Sequence, residues 1–201
     1  MHNETKRSPE VITNPITGEV IRVLESTPEL FRFEFVLLPH KPGAAPHQHP
    51  YQQQTIAARS GTLHCSVEGT KHVLAPGQAV IIEAGQTHDQ WNPADSEVWA
   101  IEEFRPAARM HDFFRVLFGM ARDGLTDDKG VPRPLLASAL FEEFSDSLRP
   151  GQRLLRMLLA ALRPLARLAG SHRVVQAYLR GNGQPAQAPR SGAMPVQPSR
   201  A

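Results

Sequence analysis

The sequence contains GAAPHQHPYQQQTIAARSG at residues 43–61 and GQAVIIEAGQTHDQWN at residues 77–92, and these two stretches indicate the fold of the chain. In the first stretch His47 and His49 are separated by one residue, and on an extended strand this spacing turns both imidazoles to the same face. A third histidine, His88, lies in a strand-like run of the second stretch. Imidazole is a common ligand for Zn, Cu, Fe and Ni. A His-x-His pair alone arises often by chance, so its meaning depends on the surrounding pattern.

Strand-like runs surround both stretches. In residues 30–38, Phe31, Phe33 and Phe35 alternate with other residues, a period of two that turns one aromatic face inward. Seven further runs of this character lie between turn residues, at 19–25, 54–60, 63–67, 71–74, 79–83, 88–91 and 97–104. Many short strands at this spacing predict a sandwich, a jelly roll or a barrel.

The character of the sequence changes after Pro106. Apolar residues recur at helical spacing over residues 110–122, 135–148 and 151–168, which predicts three helices. Pro164 is expected to kink or end the third helix. Around this helix five arginines fall within about 80° of one another and five leucines lie opposite them. These residues are Arg149, Arg153, Arg156, Arg163 and Arg167, and Leu154, Leu155, Leu158, Leu162 and Leu165.

This basic amphipathic helix, Arg149–Arg167, has two alternative interpretations. Its leucine face packs on the barrel or on a second subunit, with the arginines in water, or the helix lies on an anionic membrane surface. Nucleic acid is not expected, because no aromatic residues are interleaved with the arginines. Exposed apolar helix faces need partners, so we also expect a homodimer.

Charge and cysteine usage limit the class of protein further. The net charge is +2, but after Asp146 the chain has nine arginines and no acidic residue. Cys65 is the single cysteine, which excludes an intrachain disulfide and fits a reducing compartment. The polar residues 1–10 contain no apolar run of the kind found in a signal peptide, so a cytoplasmic protein is expected.

The two stretches resemble the two conserved motifs of the cupin superfamily, over residues 18–106. The matching patterns are Gly43-x3-His47-x-His49-x4-Gln54-x6-Gly61 and Gly77-x5-Glu83-x-Gly85-x2-His88-x3-Asn92. The resemblance implies an all-β core, a double-stranded β-helix or jelly-roll barrel, with a C-terminal α-helical extension. It also implies that His47, His49 and His88 are metal ligands turned into the barrel. The implied cofactor is a divalent ion, with Fe, Mn, Ni and Zn not distinguished.

Two positions depart from the family pattern. Glu83 replaces a usual proline at a strand end, where the change is expected to be harmless. Gln54 replaces the glutamate that is usually the fourth ligand. A neutral Gln oxygen would leave a first-shell charge of about +2 instead of +1, which strengthens the electrophile, favours an anionic substrate and weakens metal binding. Alternatively, Gln54 lines the pocket as a hydrogen-bonding amide and does not contact metal.

The domain organisation follows from these segments. We expect an N-terminal arm at 1–18, the barrel at 19–106, the helical extension at 107–180 and a disordered tail at 181–201, where Gly, Pro, Ala, Gln, Ser and Arg dominate. Five further residues are candidates for the pocket lining: Phe33, Phe35, Tyr51, Gln90 and Trp99.

Two functions are compatible with the resemblance. One is a metal-dependent enzyme, dioxygenase-like or an isomerase or cyclase, acting on a small anionic organic molecule in the barrel. The other is a non-catalytic module that binds or senses a small molecule without a metal. The sequence identifies no general base beside the three histidines.

Overall fold

The structure is a computed structural model, and it describes residues 9–41 and 43–181. Within these residues the chain forms eleven strands and four helices. The strands are β1 (Val11–Thr13), β2 (Val20–Ser26), β3 (Phe31–Leu37), β4 (His47–Gln48), β5 (Gln53–Ser60), β6 (Leu63–Val67), β7 (Thr70–Leu74), β8 (Ala79–Ile82), β9 (His88–Trp91), β10 (Val98–Arg105) and β11 (Arg149–Pro150). The helices are α1 (Met110–Arg122), α2 (Pro134–Glu143), α3 (Arg153–Leu168) and α4 (Ser171–Leu179).

The strands form two antiparallel sheets. One sheet has the order β1-β2-β3-β10-β5-β8 and the other has the order β11-β4-β9-β6-β7. Neighbours in space are mostly distant in sequence, as in β10 between β3 and β5, which is the double-wound arrangement of a jelly roll. The all-β jelly-roll core with a C-terminal helical extension is therefore confirmed.

Alternation along the strands places the core between the sheets. On β3 the side chains of Phe31, Phe33 and Phe35 are buried, and they lie beside the buried side chains of β10 on the same face of the sheet. Because inward and outward positions alternate with a period of two, the residue type at each inward position fixes the character of the interior. Most are apolar, and the polar exceptions gather where the two motifs meet.

Gly61 turns the chain between β5 and β6. Its φ is +73°, and a Cβ at this position would lie 2.8 Å from the carbonyl oxygen of Glu97. Both the backbone conformation and the close approach exclude a side chain, which explains why the first motif ends on glycine.

The N-terminal segment adds a strand that the sequence did not predict. β1 pairs with β2, in the register Ile12 with Ile21, so residues 11–13 belong to the larger sheet although they fall within the predicted arm. The predicted disordered tail at 181–201 lies, apart from residue 181, outside the described residues, as do residues 1–8.

The extension begins with α1, which has the predicted bounds and packs against the barrel. The ring of Phe114 lies edge-on to the inward-facing Phe33, with centroids 5.2 Å apart. The predicted second helix is too long, since α2 ends at Glu143 and the chain then turns and pairs in β11. Residues 171–179 form a separate helix, α4, that was not predicted.

The leucine face of helix α3 does not pack on the barrel, and its packing on a second subunit stays a prediction. The helix contacts the body of the protein through the buried residues Leu159 and Ala166, whereas Leu158 and Leu165 are more than half exposed. Several arginines of the helix have polar partners on the body, as described below, and these contacts turn the leucines outward. Pro164 does not end the helix, because the carbonyl it leaves unpaired belongs to the exposed Ala160 and can be hydrated. Among the described helices, none has the length and apolarity needed to cross a bilayer.

Candidate metal centre

Three buried histidines meet between the two motifs. His47 on β4 pairs directly with His88 on β9, and His49 follows two residues after His47 on the same face. Ring nitrogens of the three side chains lie within 4.8 Å of one another, and each histidine is at least 92% buried. Among the described residues, this is the group that could hold a metal ion.

Each imidazole is oriented by a backbone carbonyl. The Nδ1 atoms of His47, His49 and His88 lie 2.8, 2.7 and 3.0 Å from the carbonyl oxygens of Ala45, Ser147 and Gln86. A carbonyl oxygen only accepts hydrogen bonds, so each Nδ1 carries the proton and each Nε2 presents a lone pair. This is the tautomer of a metal-binding histidine with its second nitrogen fixed by a hydrogen bond.

The protonation state of the site also suits a metal. Burial, together with the neighbouring imidazoles, lowers the pKa of His47 well below its ordinary value and lowers the pKa of His49 to about 3. Burial lowers the pKa of His88 as well. All three rings are therefore neutral near pH 7, which removes the competition between protons and a cation for the Nε2 lone pairs.

The lone pairs are placed as the ligands of one ion would be. The Nε2 atoms of His47 and His49 lie 3.1 Å apart with no proton available to join them, and the buried Nε2 of His88 has no hydrogen-bond partner within the described part of the chain. Two nitrogens about 2.1 Å from one ion would lie about 3.0–3.4 Å apart. The three histidines thus fit a divalent metal, although nothing in the donor set selects one among Fe, Mn, Ni and Zn.

Gln54 lies on the opposite sheet and does not stand alone. It is buried on β5, and its Nε2 donates to a carboxylate oxygen of Glu102 on β10. Its Oε1 is buried and unpartnered within the described residues. Because one N–H of the amide is donated to Glu102, the carbonyl oxygen is the acceptor that stays free.

Glu102 is a buried acidic residue beside Gln54 that the sequence did not predict. It is 5% exposed, and burial raises its pKa to about 8, against the opposing effect of the Gln54 amide. A signal was present, because Glu102 shares the inward parity of Val98, Ala100 and Phe104 on β10. An acidic residue on the apolar face of an alternating strand indicates a buried carboxyl group.

Two more glutamine side chains are buried in the interior. Gln90 is buried on β9, as the pocket prediction requires, and its Oε1 is unpartnered within the described residues. Gln52 was not predicted, yet it is fully buried and neither of its amide atoms has a partner in the described part of the chain. Unpaired buried amides are costly in a folded protein, so these groups indicate a ligand or ordered water in the interior.

The aromatic candidates divide into two pairs. Phe33 and Phe35 are buried between the sheets. Tyr51 is 66% exposed beneath the Arg149 guanidinium, and Trp99 has the outward parity of β10, so neither ring lies in the interior. Their assignment to the pocket lining was wrong because aromatic character does not reveal parity at a strand boundary.

The helical extension takes part in the site. Ser147, which orients His49 through its carbonyl, is fully buried between α2 and β11, and its hydroxyl accepts from the Arg109 backbone N–H at 3.2 Å. β11 then pairs with β4, the strand that carries His47. Deleting the extension would therefore remove a hydrogen bond to the site as well as a covering layer.

Several known proteins are similar to part of this chain. The family model of the cupin domain matches residues 33–102. KdgF from a Halomonas species is 25% identical, covering 44% of this chain and 79% of that one, with a TM-score of 0.42. An RmlC-like cupin from Shewanella frigidimarina is 21% identical (55% and 96% covered, TM-score 0.47), and a sugar phosphate isomerase of the cupin superfamily from Silicibacter pomeroyi is 17% identical (50% and 73% covered, TM-score 0.46). No curated protein matches the chain.

The family match spans the strands from β3 to β10 and includes all three histidines. The two antiparallel sheets supply the fold that the match requires. Residues 33–102 of this chain thus match the family of cupin domains.

Proposed function

We propose that this protein is a metal-dependent enzyme that transfers a proton within a small anionic organic molecule bound inside the jelly roll, as an isomerase or cyclase does. One observation carries the proposal: three neutral imidazoles turn unshared Nε2 lone pairs toward a common point. When bound there, a divalent ion supplies Lewis-acid activation of a substrate oxygen.

The chain would supply both the metal ligands and the groups that hold these ligands in position. His47, His49 and His88 would hold the ion through Nε2, and their carbonyl partners keep the rings in register. Gln54 would offer its free carbonyl oxygen to the ion or to the substrate. Glu102 holds the Gln54 amide in this orientation by accepting a hydrogen bond from its Nε2.

Glu102 would also hold the transferred proton. Its carboxyl group is buried, lies on the interior face of β10 and is joined to the site through the Gln54 amide. A positioned acid or base contributes about 10²- to 10⁴-fold to such a reaction. Glu102 therefore provides the acid–base group that this class of chemistry requires.

The substrate class follows from charge and donors. Three histidines and a glutamine leave the charge of a divalent ion uncompensated, which favours an anionic oxygen ligand. The unpartnered amide of Gln52 can donate to and accept from further polar groups, and the unpartnered Oε1 of Gln90 can accept a hydrogen bond from a substrate hydroxyl. A small carboxylate that also carries hydroxyl or carbonyl groups satisfies both requirements.

A dioxygenase-like reaction is a second candidate. It is favoured by the ligand set itself, because three histidines and one weak neutral oxygen donor leave coordination positions open for both a chelating substrate and dioxygen. The two reactions differ in what they demand of Glu102, since only proton transfer needs a carboxyl group at that position.

The test uses the full chain loaded separately with Mn, Fe, Ni or Zn. Small hydroxy and keto acids are incubated with it in D2O, with deuterium incorporation at carbon followed by NMR and oxygen uptake by electrode. We expect metal-dependent deuterium incorporation that falls at least about 100-fold in Glu102→Gln while the metal content is unchanged.

Glu103→Gln is the matched control, because Glu103 is the next residue on the same strand and faces outward to pair with Arg32. It should retain the wild-type rate. Metal-dependent oxygen uptake that survives Glu102→Gln would replace the proposal by the dioxygenase-like reaction. Ligand binding without turnover in the loaded protein would replace it by a sensor module.

A further inference from the structure

Helix α3 presents three stripes, of which one has no partner in the described structure. Leu159 and Ala166 are buried against the body. The opposite side of the helix is apolar and exposed, with each side chain between 54% and 86% accessible. This exposed apolar stripe consists of Leu154, Met157, Leu158, Leu165 and Leu168. Contiguous apolar patches of this kind mark interaction sites.

The third stripe is basic and runs along one edge of the exposed apolar stripe. Arg156 donates to Gln48 on the barrel at 2.9 Å, and Arg167 pairs with Glu142 on α2 at 2.5 Å. Arg153 at the start of the helix is exposed, and no side-chain partner is found for it in the described residues. Since α3 contains no acidic residue and Glu142 is the carboxylate beside Arg163 and Arg167, the edge of the apolar stripe carries a net positive charge.

A small cavity of about 90 Å³ opens beside this basic stripe, between α2 and α3. Its walls include Arg149, Arg156 and Arg163, against a single acidic residue, Glu142. Three guanidinium groups around one cavity form a site suited to a phosphate group, because guanidinium binds phosphate oxygens through paired N–H donors. Because Leu159 also lines this cavity, the cavity lies on the body side of α3, and the basic stripe separates it from the exposed apolar stripe.

We propose that the exposed face of α3 docks on an anionic phospholipid surface, with the apolar stripe among the acyl chains and the arginines beside it at the level of the headgroup phosphates. The exposed apolar stripe lies on the side of the helix that does not contact the body, so the helix can lie in the plane of the membrane with the barrel above it. The arginines at the edge remain at headgroup level.

Charge selects this occupant over a second copy of the chain. A dimer through the apolar stripe would bring two arginine edges to one interface, and α3 has no carboxylate to neutralise them. An anionic membrane supplies the opposite charge along the whole edge, which increases affinity by about fivefold for each arginine near the surface.

The test is vesicle sedimentation with the full chain, comparing vesicles of pure phosphatidylcholine with vesicles of phosphatidylcholine and phosphatidylglycerol at 3:1. We expect at least tenfold tighter binding to the anionic vesicles, weakened by salt. Leu158→Gln with Leu165→Gln should reduce binding at least about tenfold, and Arg153→Gln about fivefold. The double variant Val73→Gln, Ile81→Gln is the matched control, because these two exposed residues lie on β7 and β8 and not on α3. It should bind to vesicles like the wild type.

Size-exclusion chromatography with light scattering completes the experiment. A monomer that binds anionic vesicles through the apolar stripe supports the proposal. A dimer that the Leu158→Gln, Leu165→Gln variant converts to a monomer, without lipid binding, would assign the face to a second copy and overturn it. Equal binding to neutral and anionic vesicles, or binding that survives both α3 variants, would also overturn it. Circular dichroism melts confirm that each variant remains folded, as expected for changes at exposed positions.

Discussion

The interior of the jelly roll and the outer face of α3 reverse the ordinary distribution of polar and apolar groups. The interior buries three histidines, a glutamate and several amides, whereas α3 exposes a row of leucines. A buried polar group and a large exposed apolar patch are both informative, since folding alone favours neither. Under the two proposals above, each region has the composition that its ligand requires, a metal ion and an anionic molecule in the interior and a phospholipid surface at α3.

The two regions differ in how far they are organised before binding. In the interior, backbone carbonyls already orient the three imidazoles and Glu102 already orients Gln54. The face of α3 has no such internal partners along its apolar stripe. We therefore expect the interior to lose its function when one side chain is removed, and α3 to respond in proportion to the apolar surface removed.

The largest expected effect is loss of metal from the interior. His49→Ala removes one of three ligands, so the affinity for Zn or Mn should fall at least about 100-fold. Elemental analysis and titration of the purified protein measure the change. His64→Ala is the control, because His64 pairs with Trp91 outside the buried group and should leave the metal content unchanged. Equal metal content in His49→Ala and the wild type would break the interpretation of the interior.

A pair of adjacent leucines separates the buried and exposed sides of α3. Leu159 is buried and Leu158 is 54% exposed, so Leu159→Ala should lower the free energy of unfolding by about 2–3 kcal/mol and Leu158→Ala by less than about 0.5 kcal/mol. Urea denaturation of the two variants measures both values. Similar losses in the two variants would mean that the outer face of α3 is covered within the protein.

The smallest expected effect concerns Glu19, a partly buried acid at the start of β2. Burial raises its pKa to about 7 from an unfolded value near 4.5, so the folded state retains a proton that the unfolded state releases between these values. The free energy of unfolding then falls as the pH rises through this window. Glu19→Gln should stabilise the protein by about 1–2 kcal/mol at pH 8 and have little effect at pH 4. Melting curves at both values test this, and a gain confined to low pH would contradict it.

Much of the fold could be predicted from the sequence, because the relevant signals are local. The alternation in residues 30–38 and 97–104 gives strands with bounds close to those of β3 and β10. The short strands β4 and β11 could not be predicted in the same way. Each has two residues, next to or including a proline, and exists only because distant segments pair.

The candidate site could be predicted in part for the same reason. His47, His49 and His88 stand in motifs with fixed spacing, so their convergence was foreseeable. The contact between Gln54 and Glu102 joins neighbouring strands that are far apart in sequence, and no local pattern reveals it.

The orientation of α3 could not be predicted from the sequence pattern. Helical periodicity separates the arginines from the leucines, but it does not say which side meets the body. That choice depends on Gln48 and Glu142, which accept hydrogen bonds from Arg156 and Arg167 and lie on elements that precede α3 in the chain. Only the packed structure brings these partners together.

Anomalous diffraction from crystals grown with Mn or Zn tests the central claim most directly. We expect one strong peak between the two sheets, about 2.0–2.2 Å from the Nε2 atoms of His47, His49 and His88, with each Nδ1 still hydrogen-bonded to its backbone carbonyl oxygen. A peak bound through Nδ1, or at a place remote from these three rings, would contradict it.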